Sequence, residues 1–236
     1  MRGRLLTWFN EHRRELPWRQ TRDPYCVLVS EVMLQQTQVP RVIPRYIEWI
    51  ARWPTAEALA AAPRADVILA WQGLGYNRRA VNLHRAAQIV AADGWPDDLT
   101  ELPGVGEYTA AAVRRFAFGE RVLPLDTNVA RVLERTRARF GPEAAEALMD
   151  LGREVCLARI PRCGVCPLAP DCPSRGRRYE PLRKQSQFEG SFRQHRAQTL
   201  KLVAAGRSTG LDREVVASLE RDGLVEVRAG VARLPQ

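Results

Sequence analysis

The chain has 236 residues, a net charge of +9 and a pI of about 9.9, which favours a polyanionic partner such as DNA. Its length suffices for one or two domains with a sizeable core. No stretch approaches the ~20 apolar residues of a membrane-spanning helix and no secretory leader is visible, so we expect a cytoplasmic protein with reduced cysteines.

The first 172 residues are predicted to be helical throughout. Apolar residues recur at spacings of three and four over residues 5–9, 27–34 and 42–50. Alanine-rich stretches between these segments favour helix by propensity. No alternating strand pattern occurs before residue 220. We therefore predict an all-α core over residues 1–173.

The sequence changes character after the core. Residues 174–190 form a basic connector, and helices are predicted at 192–205 and 212–222, the second ended by Gly223. The run LVEVR-AG-VARL then predicts a hairpin. Two helices followed by a hairpin resemble the later part of a winged helix, so we predict a small winged-helix-like tail at 191–236. The alternative is an appendage that only packs on the core.

One carboxyl lies within an apolar helical face. Glu31 stands in SEVMLQQTQV, where apolar residues surround it. Burial of a charged group is costly unless the group is paired or protonated. Glu31 therefore either forms a salt bridge with an arginine or stays protonated and can donate a proton.

Two segments further along the chain have the sequence pattern of a helix N-terminus. In LPGVGEYTAAAV, Gly104 and Gly106 flank Val105 and allow positive φ and the close approach of a partner. Amides of such a turn, at a helix N-terminus, can bind a phosphate. Asp126 precedes the predicted helix TNVARVLERT, where aspartate is a good N-cap.

Four cysteines cluster in CLARIPRCGVCPLAPDC: Cys156, Cys163, Cys166 and Cys172. In a reducing compartment such a cluster indicates metal ligands rather than disulfides. Zinc sites usually have two short-spaced pairs, whereas only the central two cysteines form a CxxC pair here. Thiolate quartets also bind [4Fe–4S] clusters. The remote Cys26 is expected to be a small buried side chain.

The cysteine spacing, LPGVGEYT and LDTNV together resemble the iron–sulfur branch of the helix-hairpin-helix DNA glycosylases, and within it the adenine-removing MutY enzymes. The resemblance covers about residues 4–175. It implies a mostly α, two-lobed fold with a [4Fe–4S] cluster on the cysteine loop, acting as a monomer on double-stranded chromosomal DNA. The implied reaction is hydrolysis of the N-glycosidic bond of adenine mispaired with guanine or 8-oxoguanine, after base flipping.

The resemblance also assigns roles near the reacting bond. Glu31 would protonate N7 of adenine, and Asp126 would stabilise the oxocarbenium-like charge on the sugar. Asn128 matches a residue near that aspartate. Tyr108 stands where lyase-competent relatives carry a lysine. Because the only lysines are Lys184 and Lys201, an enzyme that removes the base without cutting the strand is expected.

Further positions match residues that contact DNA in the family. Trp18, Arg19 and Glu146 match contacts to the flipped base. Gln36 and Tyr76 match side chains that wedge into the base stack and probe the opposite base. The turn at residues 104–106 matches the hairpin that grips the DNA backbone without reading sequence. For Trp18 and Tyr76, an ordinary core role is the alternative.

The chain departs from the family in three places. Only about ten residues separate RVLERT from AEALMDLG, where many relatives carry a longer segment. The tail is too short for the MutT-like domain that recognises 8-oxoguanine in many MutY enzymes. Thr127 replaces a common glycine. Two other functions remain open: a thymine or uracil glycosylase acting on G mismatches, and a non-catalytic iron–sulfur DNA-binding protein.

Overall fold

The structure is a computed structural model that describes residues 1–180 and 187–236, so Lys184 and part of the predicted connector lie outside it. The described chain is mostly helical, as predicted, and no helix in it is both long and apolar enough to cross a membrane. Its α-helices are α1 (Arg2–His12), α2 (Pro24–Leu34), α3 (Val39–Arg52), α4 (Ala56–Ala60), α5 (Arg64–Ala70), α6 (Arg78–Asp93), α7 (Glu107–Phe116), α8 (Thr127–Thr136), α9 (Ala145–Glu154), α10 (Phe192–Ala204) and α11 (Arg213–Arg221). Its strands are β1 (Glu226–Arg228) and β2 (Val231–Arg233).

The chain divides into two compact units, each built from two separate stretches of sequence. The first unit contains the described residues 1–27 and 106–180. The second contains residues 28–105 and 187–236. The division confirms the two-lobed fold expected from the sequence, and each lobe is described on its own below.

The core of the first unit is formed by α1, α8 and α9. Each helix contributes apolar residues three or four positions apart, the spacing of one helical face. The buried members are Leu5, Phe9, Val129, Val132, Ala147, Leu148, Leu151 and Val155. Leu168, from the cysteine loop, is buried in the same cluster, and Cys156 and Cys166 pack against it. The cysteine loop is therefore anchored on the helices that carry Asp126 and Glu146.

The second unit is centred on α6, against which α4 and α5 pack. α3 has one apolar face, and its buried residues Val39, Val42, Tyr46 and Trp49 recur every three or four positions. The Trp49 ring makes edge contacts with Trp53 at 4.8 Å and with Trp71 at 5.4 Å between centroids. These aromatic pairs fix the start of the segment that carries Tyr76.

The tail forms a hydrophobic cluster with this second unit. Leu200 and Val203 of α10 and Val215 and Leu219 of α11 share that cluster with Ile68 and Val81. Gly223 ends α11 with φ +71°, as predicted, and an added Cβ would lie 3.4 Å from the Val81 side chain. Ala229 and Gly230 both have positive φ, the requirement of a type I′ hairpin turn between β1 and β2. The helix, helix and hairpin order is confirmed, and a recognition role stays a prediction.

A buried histidine in α6 makes the stability of this unit depend on pH. His84 is only 2% exposed, and burial, aided by the charge of Arg64, lowers its pKa below 6.5. The unfolded chain takes up a proton as pH falls through about 6.5, whereas the folded chain resists it. We expect the melting temperature to be constant above that pH and to fall below it, by less in His84→Gln. Thermal melts at several pH values measure this. If the melting temperature of His84→Gln falls with pH as steeply as that of the wild type, His84 is not the group responsible.

Candidate active site

Asp126 is the N-cap of α8, with extended backbone (φ −79°, ψ 174°). Its carboxylate accepts hydrogen bonds from the Asn128 and Val129 amides at 3.0 and 2.6 Å, and from Asn128 Nδ2 at 2.7 Å. The side chain is half-buried. The cap expected from the sequence is therefore present, and it does not exclude a catalytic role. The same three bonds fix the orientation of a carboxylate that solvent can still reach.

Asn128 connects this carboxylate to the cysteine loop through a residue that the sequence did not single out. Arg131 donates from Nη2 to Asn128 Oδ1 at 2.8 Å and to the Gly152 carbonyl at 2.6 Å. Its Nε donates to the Cys156 carbonyl at 2.8 Å. Burial lowers the pKa of Arg131. A continuous hydrogen-bonded path thus runs from Asp126 to the first cysteine of the loop.

Close packing of α8 on α9 makes this path possible. A Cβ on Gly152 would lie 2.8 Å from both the Cβ and the carbonyl oxygen of Asn128, closer than real Cβ contacts. Glycine at 152 therefore lets α9 approach the residue that orients Asp126. The glycine in DLG is the only sequence signal for this contact.

Arg19 and Glu146, both predicted to contact the flipped base, lie together in the first unit. Arg19 Nε lies 2.8 Å from Glu146 Oε1, and Arg19 Nη1 lies 2.9 Å from Asp150 Oδ2. Asp150 is 2% exposed and also pairs with Arg14, a contact that sequence reasoning missed. Trp18 is buried in the short 3₁₀ turn that carries Arg19. The short segment before Glu146 is therefore compatible with a direct contact between Glu146 and Arg19.

Glu31 and Tyr108 occupy different units. Glu31 lies on the part of α2 that belongs to the second unit, and it is 7% exposed. Tyr108 is half-buried in the first turn of α7, in the first unit. The burial of Glu31 agrees with the sequence expectation, while the catalytic roles of both residues stay predictions.

The glycine turn corrects one sequence expectation. Gly104 has φ +80°, and a Cβ there would lie 2.9 Å from the Asn82 Cβ, so glycine is required. Gly106, by contrast, has φ −98° and ψ 177°, an extended conformation open to any residue. The prediction that Gly106 adopts positive φ is therefore wrong. Its added Cβ would meet nothing within 4 Å, and this open space at the N-terminus of α7 suits a close partner.

Gln36 and Tyr76, the predicted wedge residues, have an uncommon backbone conformation. Their φ angles are +55° and +46°, in the left-handed region that non-glycine residues rarely enter. Both side chains are exposed, Tyr76 by 43%. Tyr76 is thus not the core aromatic that the sequence left as an alternative.

The four cysteines of the loop line one cavity, together with residues of α8, α9 and the loop itself. All five cysteines are described and none forms a disulfide. The Gly176 amide donates to Cys163 Sγ at 3.3 Å, and Arg135 Nη1 lies 3.6 Å from Cys156 Sγ. Burial raises the pKa of the Cys166 thiol. The Gly176 amide and Arg135 therefore favour the thiolates of Cys163 and Cys156, whereas burial disfavours that of Cys166.

The geometry required for a single zinc ion can be compared with the described side chains. Four thiolates around one zinc ion would be about 3.8 Å apart, given Zn–S bonds of about 2.3 Å. Within residues 1–180 and 187–236, no three His, Cys, Asp or Glu side chains converge closely enough to hold a metal ion.

Solved structures define the class of the fold. A thermostable thymine-DNA glycosylase is 30% identical to this chain with a TM-score of 0.65, covering 73% of this chain and 94% of that one. Endonuclease III, in a trapped covalent intermediate with DNA, gives a TM-score of 0.63 over 73% and 92% of the two chains. At 24% identity this second likeness shows the fold alone. The fold is that of a DNA glycosylase.

The family follows from the sequence match. Residues 29–156, more than half of the chain, match the HhH-GPD superfamily of base excision DNA repair proteins, and the chain belongs to this family. Adenine DNA glycosylase of Mycobacterium tuberculosis is 43% identical, over 85% of this chain and 77% of the relative. Enzymes of the endonuclease III and MutY type typically carry a [4Fe–4S] cluster.

Proposed function

We propose that the chain is a base-excision-repair DNA glycosylase that hydrolyses the N-glycosidic bond of adenine mispaired with guanine or 8-oxoguanine. The observation that carries the proposal is the Asp126 carboxylate, held in one orientation by three hydrogen bonds yet still half-exposed. The adenine specificity is supported by the 43% identity to an enzyme named for that activity. The net charge of +9 suits double-stranded DNA as the substrate. The proposed place of action is the chromosome in the cytoplasm.

In the proposed reaction the adenine is first extruded from the stack, because its glycosidic bond is inaccessible inside the duplex. The Glu31 carboxyl donates a proton to adenine N7, and the base then departs with the electrons of the N9–C1′ bond. The Asp126 carboxylate stabilises the positive charge that develops on the sugar. Water adds to C1′ and releases a proton, which leaves an abasic site and free adenine. Asn128 holds Asp126 in place during these steps.

The proposed enzyme leaves the DNA strand intact. A lyase reaction needs an amine that forms a Schiff base with the sugar. The chain has only two lysines, and Tyr108 occupies the position of the lyase lysine in the resemblance. Product DNA should therefore break only after alkali or heat, and borohydride should trap little covalent adduct.

We propose that Cys156, Cys163, Cys166 and Cys172 hold a [4Fe–4S] cluster. They line one cavity beside α8 and α9, and enzymes of the endonuclease III and MutY type typically carry such a cluster. Bound there, the cluster would serve as a structural centre that organises the loop between α9 and the tail. This loop shares its core with α8, so cluster binding would also stabilise the helix that Asp126 caps.

Metal analysis tests the cluster. We expect the anaerobically purified protein to be brown and to contain roughly four irons per chain. Cys163→Ser should lose iron and solubility together, because metal binding and loop folding are coupled. Cys26→Ala, at the buried cysteine outside the cavity, is the control and should retain its iron. Zinc instead of iron in the wild-type protein would refute the assignment.

One experiment separates the proposed activity from its competitors. The protein is incubated with duplexes that carry adenine, thymine or uracil opposite guanine or 8-oxoguanine, and the released base is identified. We expect adenine alone. The structural similarity to a thymine-DNA glycosylase makes thymine release the second candidate. Binding to every duplex with no base released would support a non-catalytic DNA-binding protein instead.

A further inference from the structure

Two exposed residues of the second unit stand in loops whose backbone is unfavourable on its own. Gln36 lies between α2 and α3, and Tyr76 lies between α5 and α6, and both have positive φ. For residues other than glycine this conformation costs of order 1 kcal/mol and persists only where surrounding contacts enforce it. Something in the structure must therefore hold both loops.

Arg79, near the start of α6, lies beneath both loops and is only 8% exposed. On one side its guanidinium donates at 2.7, 3.0 and 2.6 Å to the carbonyls of Val32, Met33 and Gln35. On the other side it donates at 3.3, 2.9 and 3.3 Å to the carbonyls of Leu74, Gly75 and Tyr76. Thr37 accepts a further bond at 3.0 Å and donates to the Leu74 carbonyl at 3.2 Å. One side chain therefore joins the residues before Gln36 to Tyr76 itself.

The chemistry of arginine suits this position. Val32 and Met33 belong to the last turn of α2, whose carbonyls have no partner within the helix and favour a cation. The guanidinium has five N–H donors in a planar fork and can reach both loops at once. Its centre also lies 5.2 Å from the Trp71 ring and 5.8 Å from the Tyr76 ring. Lysine, with three donors on one nitrogen, could not replace these contacts.

The charge of Arg79 is compensated by carbonyl dipoles. Within residues 1–180 and 187–236, no carboxylate forms an ion pair with it. Burial lowers its pKa to about 10, so the side chain remains charged at neutral pH. Burying a cation costs desolvation free energy, which hydrogen bonds to backbone carbonyls must offset. A buried network whose hydrogen bonds are all formed is rigid. This rigidity is what two strained loops require.

We propose that Arg79 is a positioning residue for base extrusion, which locks the two loops together so that Gln36 and Tyr76 enter the DNA stack as one rigid wedge. The inference rests on the proposed function and on the role that the family resemblance implies for these two side chains, which is to enter the stack. Arg79 itself touches neither the adenine nor its sugar. Its loss should slow extrusion and weaken discrimination of the opposite base, while the bond-breaking groups Glu31 and Asp126 are unchanged.

The test compares Arg79→Lys and Arg79→Met with Arg78→Met. Arg78 is the adjacent arginine, with its side chain 66% exposed and 3.5 Å from Asp222, so its variant controls for loss of one positive charge. Three quantities are measured: the active fraction by burst titration, the single-turnover rate constant, and the fluorescence of 2-aminopurine placed beside the mispaired adenine. We expect both Arg79 variants to lower the rate constant per active enzyme on the order of 10- to 100-fold, with a smaller 2-aminopurine signal.

Arg79→Lys is the decisive variant, since it retains the charge and leaves at most three donors. A variant that lowers only the active fraction, with the rate constant and fluorescence of the wild type, would overturn the proposal and leave a purely structural role. The same holds if Arg78→Met and Arg79→Met lower the rate constant equally.

A double-mutant cycle with Tyr76→Ala tests the mechanism. If Arg79 acts through the wedge, Arg79→Lys should cost much less in the Tyr76→Ala background than in the wild type. If the losses in rate from Arg79→Lys and Tyr76→Ala simply add in free energy, Arg79 does not act through Tyr76. Failure of the proposed function is distinguishable, because it would show as no base released by the wild type. The 2-aminopurine signal needs no bond cleavage and would still report on Arg79.

Discussion

Asp126→Asn should reduce adenine release by at least about 10²- to 10³-fold, the loss seen when one transition-state-stabilising group is removed. Asparagine is as good an N-cap as aspartate, so α8 should remain formed. The variant therefore removes the negative charge that faces the developing sugar cation and preserves most of the structure. Single-turnover rates on an adenine·guanine duplex give the size of the loss, and melting temperature checks the fold.

A second cap provides a matched control for this variant. Asp212 caps α11 in the same way, its carboxylate accepting from the Val215 amide at 3.0 Å. Asp212→Asn should leave adenine release close to that of the wild type. Duplex binding should survive in both variants, because it rests on contacts to phosphates. Turnover near the wild-type rate by Asp126→Asn would remove this residue from the mechanism.

The parts of the fold and site that the sequence predicted are those with a local signal. Apolar periodicity predicted the helical core, and the spacing of Gly223 and of Ala229–Gly230 predicted the end of α11 and the hairpin. Asp126 before a helical pattern predicted a cap, which the structure contains. These features depend on neighbours within a few residues, so a single sequence carries them.

The parts that the sequence missed depend on contacts between distant residues. Buried or half-buried hydrogen-bond networks are organised by Arg79, Arg131 and Asp150. Because 34 of the 236 residues are arginine, no local sequence signal distinguishes the arginines that take part. The left-handed conformations of Gln36 and Tyr76, in the two loops that Arg79 joins, have no sequence signal of their own. The error at Gly106 has a similar origin, since a GxG pattern does not show which glycine takes positive φ.

Glu31→Gln should reduce adenine release by about 10²- to 10⁴-fold, the usual contribution of a general acid. Glutamine has nearly the same shape and can still form hydrogen bonds, so the buried position on α2 should tolerate it. It cannot donate a proton to N7, and unprotonated adenine is a poor leaving group. Glu57→Gln, at an exposed carboxyl on α4 of the same unit, is the control and should retain wild-type activity.

The substrate can be changed instead of the enzyme to test the same step. In 7-deazaadenine a carbon replaces N7, so protonation there is impossible. If Glu31 acts at N7, the wild type should bind a duplex with this base but release none of it. Rapid release of 7-deazaadenine would place the proton elsewhere. Thymine has no N7, so a thymine glycosylase would tolerate Glu31→Gln. Undiminished thymine release by that variant would therefore favour the rival function over adenine removal.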